Sequence, residues 1–244
     1  MKIIVDRKNR KYIVHDKEFH SEKGLISEED IKNAKVGDVL ETHLGKKYTV
    51  IEANINDYIE LMKRKCSILL PQDLGLITGF TGIGYGSNIV ESGTGAGSSL
   101  LFFANIIGPE GHISSYEIRE DFVEIIKENI AGTCFDNITL YNQDVTEGFK
   151  EDDDSVDLVF LDLPKPSEVI EDAYRILKFG GFIAVYTPYI EQFQIVSKVM
   201  LKNKFKDVKI REGNVREIEM KNNKTRPNTR MASHTGYITF ARKM

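Results

Sequence analysis

The segment that most constrains the fold of this 244-residue chain is a short apolar strand followed by a glycine-rich turn and an apolar helix. Ile89 and Val90 lead into Glu91, and a helix is predicted over 97–107. Three glycines stand at alternate positions between them, namely Gly93, Gly95 and Gly97. Glycine lets a backbone adopt φ values that other residues resist and lets it approach a ligand closely. Such a unit places the turn at the carboxyl end of a parallel strand, where open α/β sheets bind nucleotides.

Predicted strands and helices alternate from residue 87 onward. The strands are 87–92, 113–117, 138–142, 156–161 and 181–186, and the helices are 97–107, 119–131, 166–177 and 189–202. This order predicts an α/β, Rossmann-like fold, in which a mainly parallel sheet carries helices on both faces. Two long strands, 206–220 and 235–242, follow with a polar loop between them and would add an antiparallel pair to the sheet.

The beginning of the chain has a different pattern. Short strand-like runs, separated by charged or glycine-containing turns, occur at 3–5, 12–14, 39–42 and 48–51. They predict a small β-rich domain over 1–54. Helical spacing at 56–66, and a helix opened by Pro71, predict a helical connector over 55–86. The Rossmann-like domain would then span 87–244.

The composition is typical of a soluble globular protein, with 41% hydrophobic and 29% charged residues. No stretch approaches the ~20 apolar residues that span a bilayer, and the first eight residues are too charged for a secretory signal. Cys66 and Cys134 are isolated and lack the spacing of a metal or redox site. We therefore expect a cytoplasmic protein without a membrane partner or a bound metal.

The net charge of −4 argues mildly against a nucleic-acid partner, because binding to phosphates needs positive potential. The charges are unevenly distributed, however. Basic residues cluster at 7–8, 10–11, 46–47, 63–65 and 221–230, and acidic residues concentrate at 28–30 and 151–154. Together the basic clusters would form a phosphate-binding surface. Taken singly, each cluster is more typical of a solvated face.

The glycine spacing indicates the kind of nucleotide that the turn would bind. Dinucleotide-binding loops read G-x-G-x-x-G, whereas this chain reads G-x-G-x-G, with Ser98 at the place of the third glycine and Glu91 two residues before the first. The combination resembles the first motif of class I S-adenosylmethionine (SAM) methyltransferases. SAM has a cationic amino-acid end, which suits a nearby carboxylate. The resemblance implies contacts to SAM from Glu91, Ser92, Gly93, Thr94, Gly95, Gly97 and Ser98. A tight turn without a ligand is the alternative.

Carboxylates also follow the other predicted strands, at the same edge of the sheet. Glu117 lies 24 residues beyond Gly93, near the separation at which an acidic residue holds ribose hydroxyls. Asp144 is placed to accept a hydrogen bond from the amine of an adenine, with Val145 against its ring. Asp162 ends the strand next to the glycine turn and is placed to meet a methyl acceptor. The alternatives are a solvated glutamate at 117, a loop aspartate or a helix cap at 144, and a helix cap at 162.

Four segments carry a more specific resemblance. They read Glu-Ser-Gly-Thr-Gly-Ala-Gly at 91–97, Leu-Asp-Leu-Pro-Lys-Pro at 161–166, Tyr-Ile-Glu-Gln at 189–192 and Arg-Pro-Asn-Thr-Arg-Met-Ala-Ser-His-Thr-Gly-Tyr at 226–237. Together they resemble the tRNA (adenine-N1) methyltransferases, which methylate a T-loop adenine of tRNA, and the resemblance covers nearly the whole chain. It implies SAM-dependent methylation at tRNA position 58, and also at 57 in archaeal-like members. It further implies a homotetramer built as a dimer of dimers.

The same resemblance implies roles for particular residues. Asp162 would be the catalytic aspartate and would also border the cofactor. The residues expected to contact tRNA are Lys63, Arg64, Lys65, Gln192, Arg226, Arg230, His234 and Thr235. Bacterial members carry Tyr-Pro-Lys-Asp before the first Rossmann strand, whereas this chain has Leu-Pro-Gln-Asp at 70–73. Stacking by an aromatic ring at Leu70 is therefore excluded, and Gln72 is the candidate cofactor contact in that segment.

Two other functions remain open from the residues alone. SAM methyltransferases that act on isoaspartyl proteins or corrinoid precursors share the glycine motif and the sheet, but they do not predict the β-rich beginning together with the His-Thr-Gly ending. A non-catalytic tRNA-binding subunit is the third candidate. It would have no need of the complete 91–97 motif or of Asp162.

Overall fold

A computed structural model describes residues 2–15, 17–221, 224–230 and 233–244, with only the backbone of Lys221. Met231 and Ala232 of the 226–237 segment therefore lie outside the described residues, as do Asn222 and Asn223 of the basic cluster 221–230. The chain divides into two compact units, Met1–Lys63 and Arg64–Met244.

The first unit is built on a four-stranded antiparallel sheet in the order β2-β1-β6-β5. Its elements are β1 (Lys2–Asp6), β2 (Lys11–Ile13), β3 (Phe19–Ser21), β4 (Gly24–Ile26), α1 (Glu28–Asn33), β5 (Val39–Glu41), β6 (Lys47–Glu52) and α2 (Ile55–Leu61). Ile4, Tyr48 and Val50 of the sheet pack with Ile26 and Ile31 to form its core. The predicted β-rich beginning is confirmed, but the β3–β4 hairpin and α1 were not predicted. The short α1 has little apolar periodicity and depends on a cap, because Ser27 Oγ accepts from Asp30 N at 3.1 Å.

The predicted connector 55–86 does not form one piece in the structure. Helix α2 belongs to the first unit, where Lys11 Nζ of β2 lies 2.9 Å from Asp57 Oδ1 and 2.6 Å from Glu60 Oε2. It ends at Leu61 rather than 66, because Met62 takes an extended backbone and its side chain is buried. The second predicted helix, Pro71–Thr81, belongs to the second unit.

The second unit contains the Rossmann-like sheet. Its elements are α3 (Pro71–Thr81), β7 (Asn88–Ser92), α4 (Ser98–Ile107), β8 (His112–Glu117), α5 (Glu120–Ala131), β9 (Ile138–Asn142), β10 (Val156–Leu161), α6 (Ile170–Ile176), β11 (Leu177–Thr187), α7 (Ile190–Lys202), β12 (Lys206–Glu212), β13 (Ile218–Lys221), β14 (Lys224–Pro227) and β15 (Tyr237–Arg242). Two 3₁₀ turns lie at Val145–Glu147 and Pro166–Glu168.

Seven strands form this sheet in the order β12-β15-β11-β10-β7-β8-β9. Strands β7 to β11 run parallel, and β15 is antiparallel to both β11 and β12. Alternate residues of β10 face opposite cores: Val159 and Leu161 lie in one hydrophobic cluster, and Leu158 and Phe160 in the other. The order reverses between β7 and β10, the kind of switch point at which such sheets bind ligands.

Three predicted boundaries in this unit were wrong. Residues 166–177 form the 3₁₀ turn and the separate α6, and β11 begins at Leu177 because that residue pairs with Val156 of β10. The strand predicted over 206–220 ends at Glu212. Its partner β15 begins opposite that residue, at Tyr237, so the sheet offers no pairing beyond it. The intervening residues form the β13–β14 hairpin instead. No helix of the described residues is long and apolar enough to cross a membrane.

Candidate active site

The glycine turn after β7 is packed directly against the end of β10. Asp162 N donates to Ser92 O at 2.9 Å. A Cβ atom at Gly93 would lie only 1.9 Å from the main-chain oxygen of Asp162, and Gly93 has φ +88°. Any side chain at Gly93 would therefore separate the two strand ends. The main chain alone fixes the glycine turn and Asp162 relative to each other.

Two adjoining cavities open at this edge of the sheet. The larger, of about 480 Å³, is lined by Gly93, Thr94, Gly95, Ser98, Glu117, Asp162 and Gln192, among others. The smaller, of about 280 Å³, is lined by Ser92, Gly93, Glu117, Asp144 and Val145, among others. Gly93 and Glu117 line both. The structure thus brings together most of the residues that the sequence places in a cofactor site.

Glu117 ends β8 and is almost completely buried, with 3% of its surface exposed. Its Oε2 accepts from Gly95 N at 2.9 Å, and its Oε1 accepts from Arg119 N at 3.0 Å and Arg119 Nε at 3.2 Å. The alternative of a solvated glutamate is therefore wrong. The carboxylate stabilises the glycine turn and is held at the wall that the two cavities share.

Asp162 has no hydrogen bond to its carboxylate from any described residue. Burial raises its pKa to about 6. Lys165, not Asp162, occupies the N-cap position of the Pro166–Glu168 turn, and that turn has no side-chain cap. The alternative of a helix cap is thus excluded at 162. What remains is a half-buried, unpartnered carboxylate that faces the larger cavity.

Glu91 lies beneath the glycine turn rather than in either cavity, and only 1% of it is exposed. Ser115 Oγ donates to its Oε1 at 2.9 Å and lies 2.6 Å from Thr94 Oγ1. Its Oε2 has no hydrogen bond of normal geometry from the described residues. Burial raises the pKa of Glu91 to about 7 against the opposing effects of Ser115 and Ser99. The structure therefore places Glu91 as a support of the turn, and direct contact with SAM stays a prediction.

Asp144 and Val145 lie in the smaller cavity as predicted. Asp144 also caps the 3₁₀ turn, because its Oδ1 accepts from Thr146 N at 2.9 Å and from Thr146 Oγ1 at 2.7 Å. These hydrogen bonds lower the pKa of Asp144. The cap uses Oδ1, which leaves Oδ2 for a ligand. The cap and the binding role are therefore compatible.

Gln192 lines the larger cavity. Its Oε1 is buried and has no hydrogen-bond partner among the described residues. Neighbouring wall residues that sequence reasoning missed are Cys66, Ser67, Ile68, Leu69, Ile118, Arg119, Leu163, Pro164 and Pro188. Residues 66–69 have no regular secondary structure and no motif, so no sequence signal places them beside the turn.

Other predicted site residues lie outside both cavities. Gly97 is the left-handed N-cap of α4, and Gln72 lies in the first turn of α3. Arg64, Lys65, Arg226 and Arg230 are exposed. Lys65 Nζ lies 3.8 Å from Asp121 Oδ2, and Arg226 lies 3.9 Å from Glu219. Lys63 ends the first unit. Their contacts with a cofactor or with tRNA stay predictions.

His234 and Thr235 make hydrogen bonds within the protein. The two nitrogens of His234 lie 2.7 Å from Glu212 Oε1 and 3.1 Å from Pro188 O. Thr235 Oγ1 donates to Asp73 Oδ1 at 3.0 Å, and Thr235 O accepts from the hydroxyl of Tyr186. Neither residue lines either of the two cavities at the glycine turn. A direct contact with substrate is not seen for them and stays a prediction.

Comparison with known proteins gives a consistent result. The family model described as tRNA methyltransferase complex GCD14 subunit matches residues 58–230. A tRNA (adenine(57)-N(1)/adenine(58)-N(1))-methyltransferase from Methanocaldococcus jannaschii is 33% identical, over 99% of this chain and 94% of that protein. A tRNA (adenine(58)-N(1))-methyltransferase from Thermus thermophilus is 29% identical, over 99% of this chain and 96% of its own. The crystal structure of a SAM-dependent O-methyltransferase from Thermotoga maritima is 29% identical and superposes with a TM-score of 0.90, covering 99% of this chain and 92% of that one.

Proposed function

The chain belongs to the family of the tRNA methyltransferase complex GCD14 subunit, and from this we propose that it is a SAM-dependent methyltransferase acting on adenine N1 in the T-loop of tRNA. The observation that carries the proposal is the unpartnered carboxylate of Asp162, fixed by main-chain contacts against the glycine turn. In the proposed reaction, Asp162 would be the acceptor for an amine of the substrate, and the glycine turn beside it would bind the methyl donor.

The residues present fit SAM. The glycine turn leaves no side chain at Gly93, so a ligand can lie against the main chain there. Glu117 is held at the wall between the cavities, where a carboxylate can accept from both hydroxyls of a ribose. Asp144 and Val145 border the smaller cavity, which would take the adenine. Two carboxylates, those of Glu117 and Asp162, line the larger cavity and suit a cationic ligand, although Arg119 lines it too.

The reaction moves positive charge onto the substrate. SAM supplies a sulfonium methyl group, whose carbon bonds to the lone pair of adenine N1 while the carbon–sulfur electron pair stays on sulfur. No proton moves in this step, and the adenine becomes cationic. Asp162 would accept a hydrogen bond from the exocyclic amine, orient the ring and stabilise the charge that develops on it. Since the target adenine is stacked in folded tRNA, it must leave the stack to reach this carboxylate.

Several finer features are part of the proposal. The M. jannaschii relative is named for positions 57 and 58, and the T. thermophilus relative for 58 alone. We propose position 58 as the target, with 57 as a second site. We further propose that the protein works in the cytoplasm as a homotetramer. The basic residues at 63–65, 226 and 230 would bind tRNA phosphates, since they are exposed or lie in the predicted basic clusters.

The test is to incubate the protein with labelled SAM and an unmodified tRNA transcript, and to map the modified nucleoside. We expect 1-methyladenosine in the T-loop. Asp162→Ala should lose methyl transfer by orders of magnitude with SAM affinity nearly unchanged, because the lost interaction strengthens only as N1 becomes cationic. SAM binding without label in tRNA would instead favour another acceptor, such as the oxygen atom that the name of the T. maritima neighbour indicates. Absence of SAM binding would favour the non-catalytic subunit.

A further inference from the structure

The segment His234–Thr235 connects three elements around the larger cavity. His234 bridges the end of β12 at Glu212 and the residue after β11 at Pro188. Thr235 bonds to Asp73 in the first turn of α3, and to Tyr186 in β11. These hydrogen bonds of His234 and Thr235 are all made inside the protein. The two residues therefore stabilise the wall of the cavity without lining it.

The hydrogen bonds of His234 constrain its protonation. Nδ1 faces a carboxylate oxygen and Nε2 faces a main-chain carbonyl oxygen, and both of these atoms are acceptors. A neutral imidazole has one donor and one acceptor nitrogen, so it can satisfy only one of the two. The imidazolium satisfies both. The charged groups that act on the ring are Glu212 from β12 and Asp73 from α3, and both are carboxylates.

The packing around the ring extends this link to the cavity. The ring centroid of His234 lies 4.8 Å from that of Tyr237, which lies 5.0 Å from that of Phe193 in the first turns of α7. Pro188, whose carbonyl His234 holds, lines the larger cavity together with Gln192 of α7. A change at His234 would thus shift the start of α7 and with it the unpartnered oxygen of Gln192.

We infer that His234 is a positioning residue, held as an imidazolium, which fixes Pro188 and Gln192 in the wall of the cavity that Asp162 also lines. The identity of the substrate rests on the proposed function, whereas the hydrogen bonds and the protonation of His234 do not depend on it. The hydrogen bonds to Glu212 and to Pro188 O raise the pKa of His234. As pH rises through that pKa, the ring loses one donor and one of the two links opens. The rate of methyl transfer should therefore fall as the pH rises above the pKa of His234.

The first measurement is an NMR titration of the histidine ring nitrogens, with His234 assigned through His234→Ala. We expect a pKa above 6.5, the ordinary value, and a lower one in Glu212→Gln, which keeps an acceptor oxygen but loses the charge. The side-chain amide signal of Gln192 should shift in step with His234. A pKa of His234 at or below 6.5, or a Gln192 signal indifferent to its titration, overturns the inference. This arm needs no substrate, so it decides the inference even if the wild type methylates no tRNA.

The second measurement is single-turnover methylation of the tRNA transcript at saturating SAM, as a function of pH. We expect His234→Ala to be slower by about tenfold or more at neutral pH, since a displacement of about 1 Å can cost far more than that. The methylation rate of His234→Ala should not fall as the pH rises, and the affinity of this variant for SAM should stay within about twofold of wild type. The matched control is His112→Ala, because His112 contacts Thr139 near the opposite edge of the sheet. A wild-type rate and pH profile in His234→Ala would refute the inference.

Discussion

Replacing Asp162 by asparagine should make the protein more stable and inactive at once. Burial raises the pKa of Asp162 from its ordinary value of 3.8 to about 6. Since each pKa unit corresponds to about 1.4 kcal/mol, the ionised carboxylate lowers the free energy of unfolding by about 3 kcal/mol at neutral pH. The amide of asparagine carries no charge, so the substitution removes this penalty. It leaves an unpaired polar group, which costs about 1 kcal/mol of the stability regained. The net stabilisation is about 2 kcal/mol.

The sign of the pH dependence follows from the direction of the shift. An acid whose pKa is higher in the folded state destabilises the fold only when it is ionised, so the penalty is absent below about pH 4 and complete above about pH 6. The advantage of Asp162→Asn should therefore vanish at pH 4 and be full at pH 7. At pH 7 the melting temperature should rise by roughly 4–8 °C.

The assay is thermal unfolding of both proteins across this pH range, together with single-turnover methylation. Asp157→Asn is the matched control at the other end of β10. Its carboxylate accepts from Asn88 N at 2.8 Å and pairs with Lys178, so its loss should lower stability by about 1 kcal/mol. The reasoning is refuted if Asp162→Asn is no more stable than wild type at pH 7, or if its advantage is the same at pH 4.

Three further results are expected. Glu117→Ala should weaken SAM binding by roughly 1.5–3 kcal/mol through loss of hydrogen bonds to a charged group, and unchanged affinity by calorimetry would reject the ribose assignment. Gly93→Ala should abolish SAM binding and lower the melting temperature, because there is no room for a Cβ atom at that position. The control is Gly75→Ala in helix α3, which should be neutral or stabilising because a Cβ atom there meets nothing within 4 Å. Replacing residues 63–65 by alanine should weaken tRNA binding and its salt dependence while SAM affinity is retained; filter binding that shows no salt dependence in wild type would exclude a role for phosphate contacts.

The sequence was most informative where a periodic pattern and a special backbone coincide. The strands β7, β9 and β10 lie within one residue of their predicted bounds, because each apolar run is followed within two residues by a glycine or a carboxylate. Glu117 and Asp162 could be placed for the same reason, since parallel strands bring their carboxyl ends to one edge.

Other features depend on contacts between distant residues, which no local pattern reveals. Residues 66–69 line the larger cavity although nothing in their sequence is typical of a binding loop. The burial of Glu91 under the turn depends on the hydroxyl of Ser115, 24 residues away. The end of β12 is set by the residue at which its partner β15 begins, and hydrophobic periodicity within β12 does not reveal that pairing.

The position of β15 has a consequence for the order in which the protein can assemble. This strand comes later in the chain than the other six strands of the sheet, yet it lies inside the sheet, between β11 and β12. While the chain is being synthesised, β11 has an open edge and β12 has no partner until β15 emerges. Open strand edges are where chains pair wrongly with one another. Because His234 and Thr235 lie just before β15, their hydrogen bonds to Pro188 and Asp73 also form later than the glycine turn, which is synthesised more than 130 residues earlier.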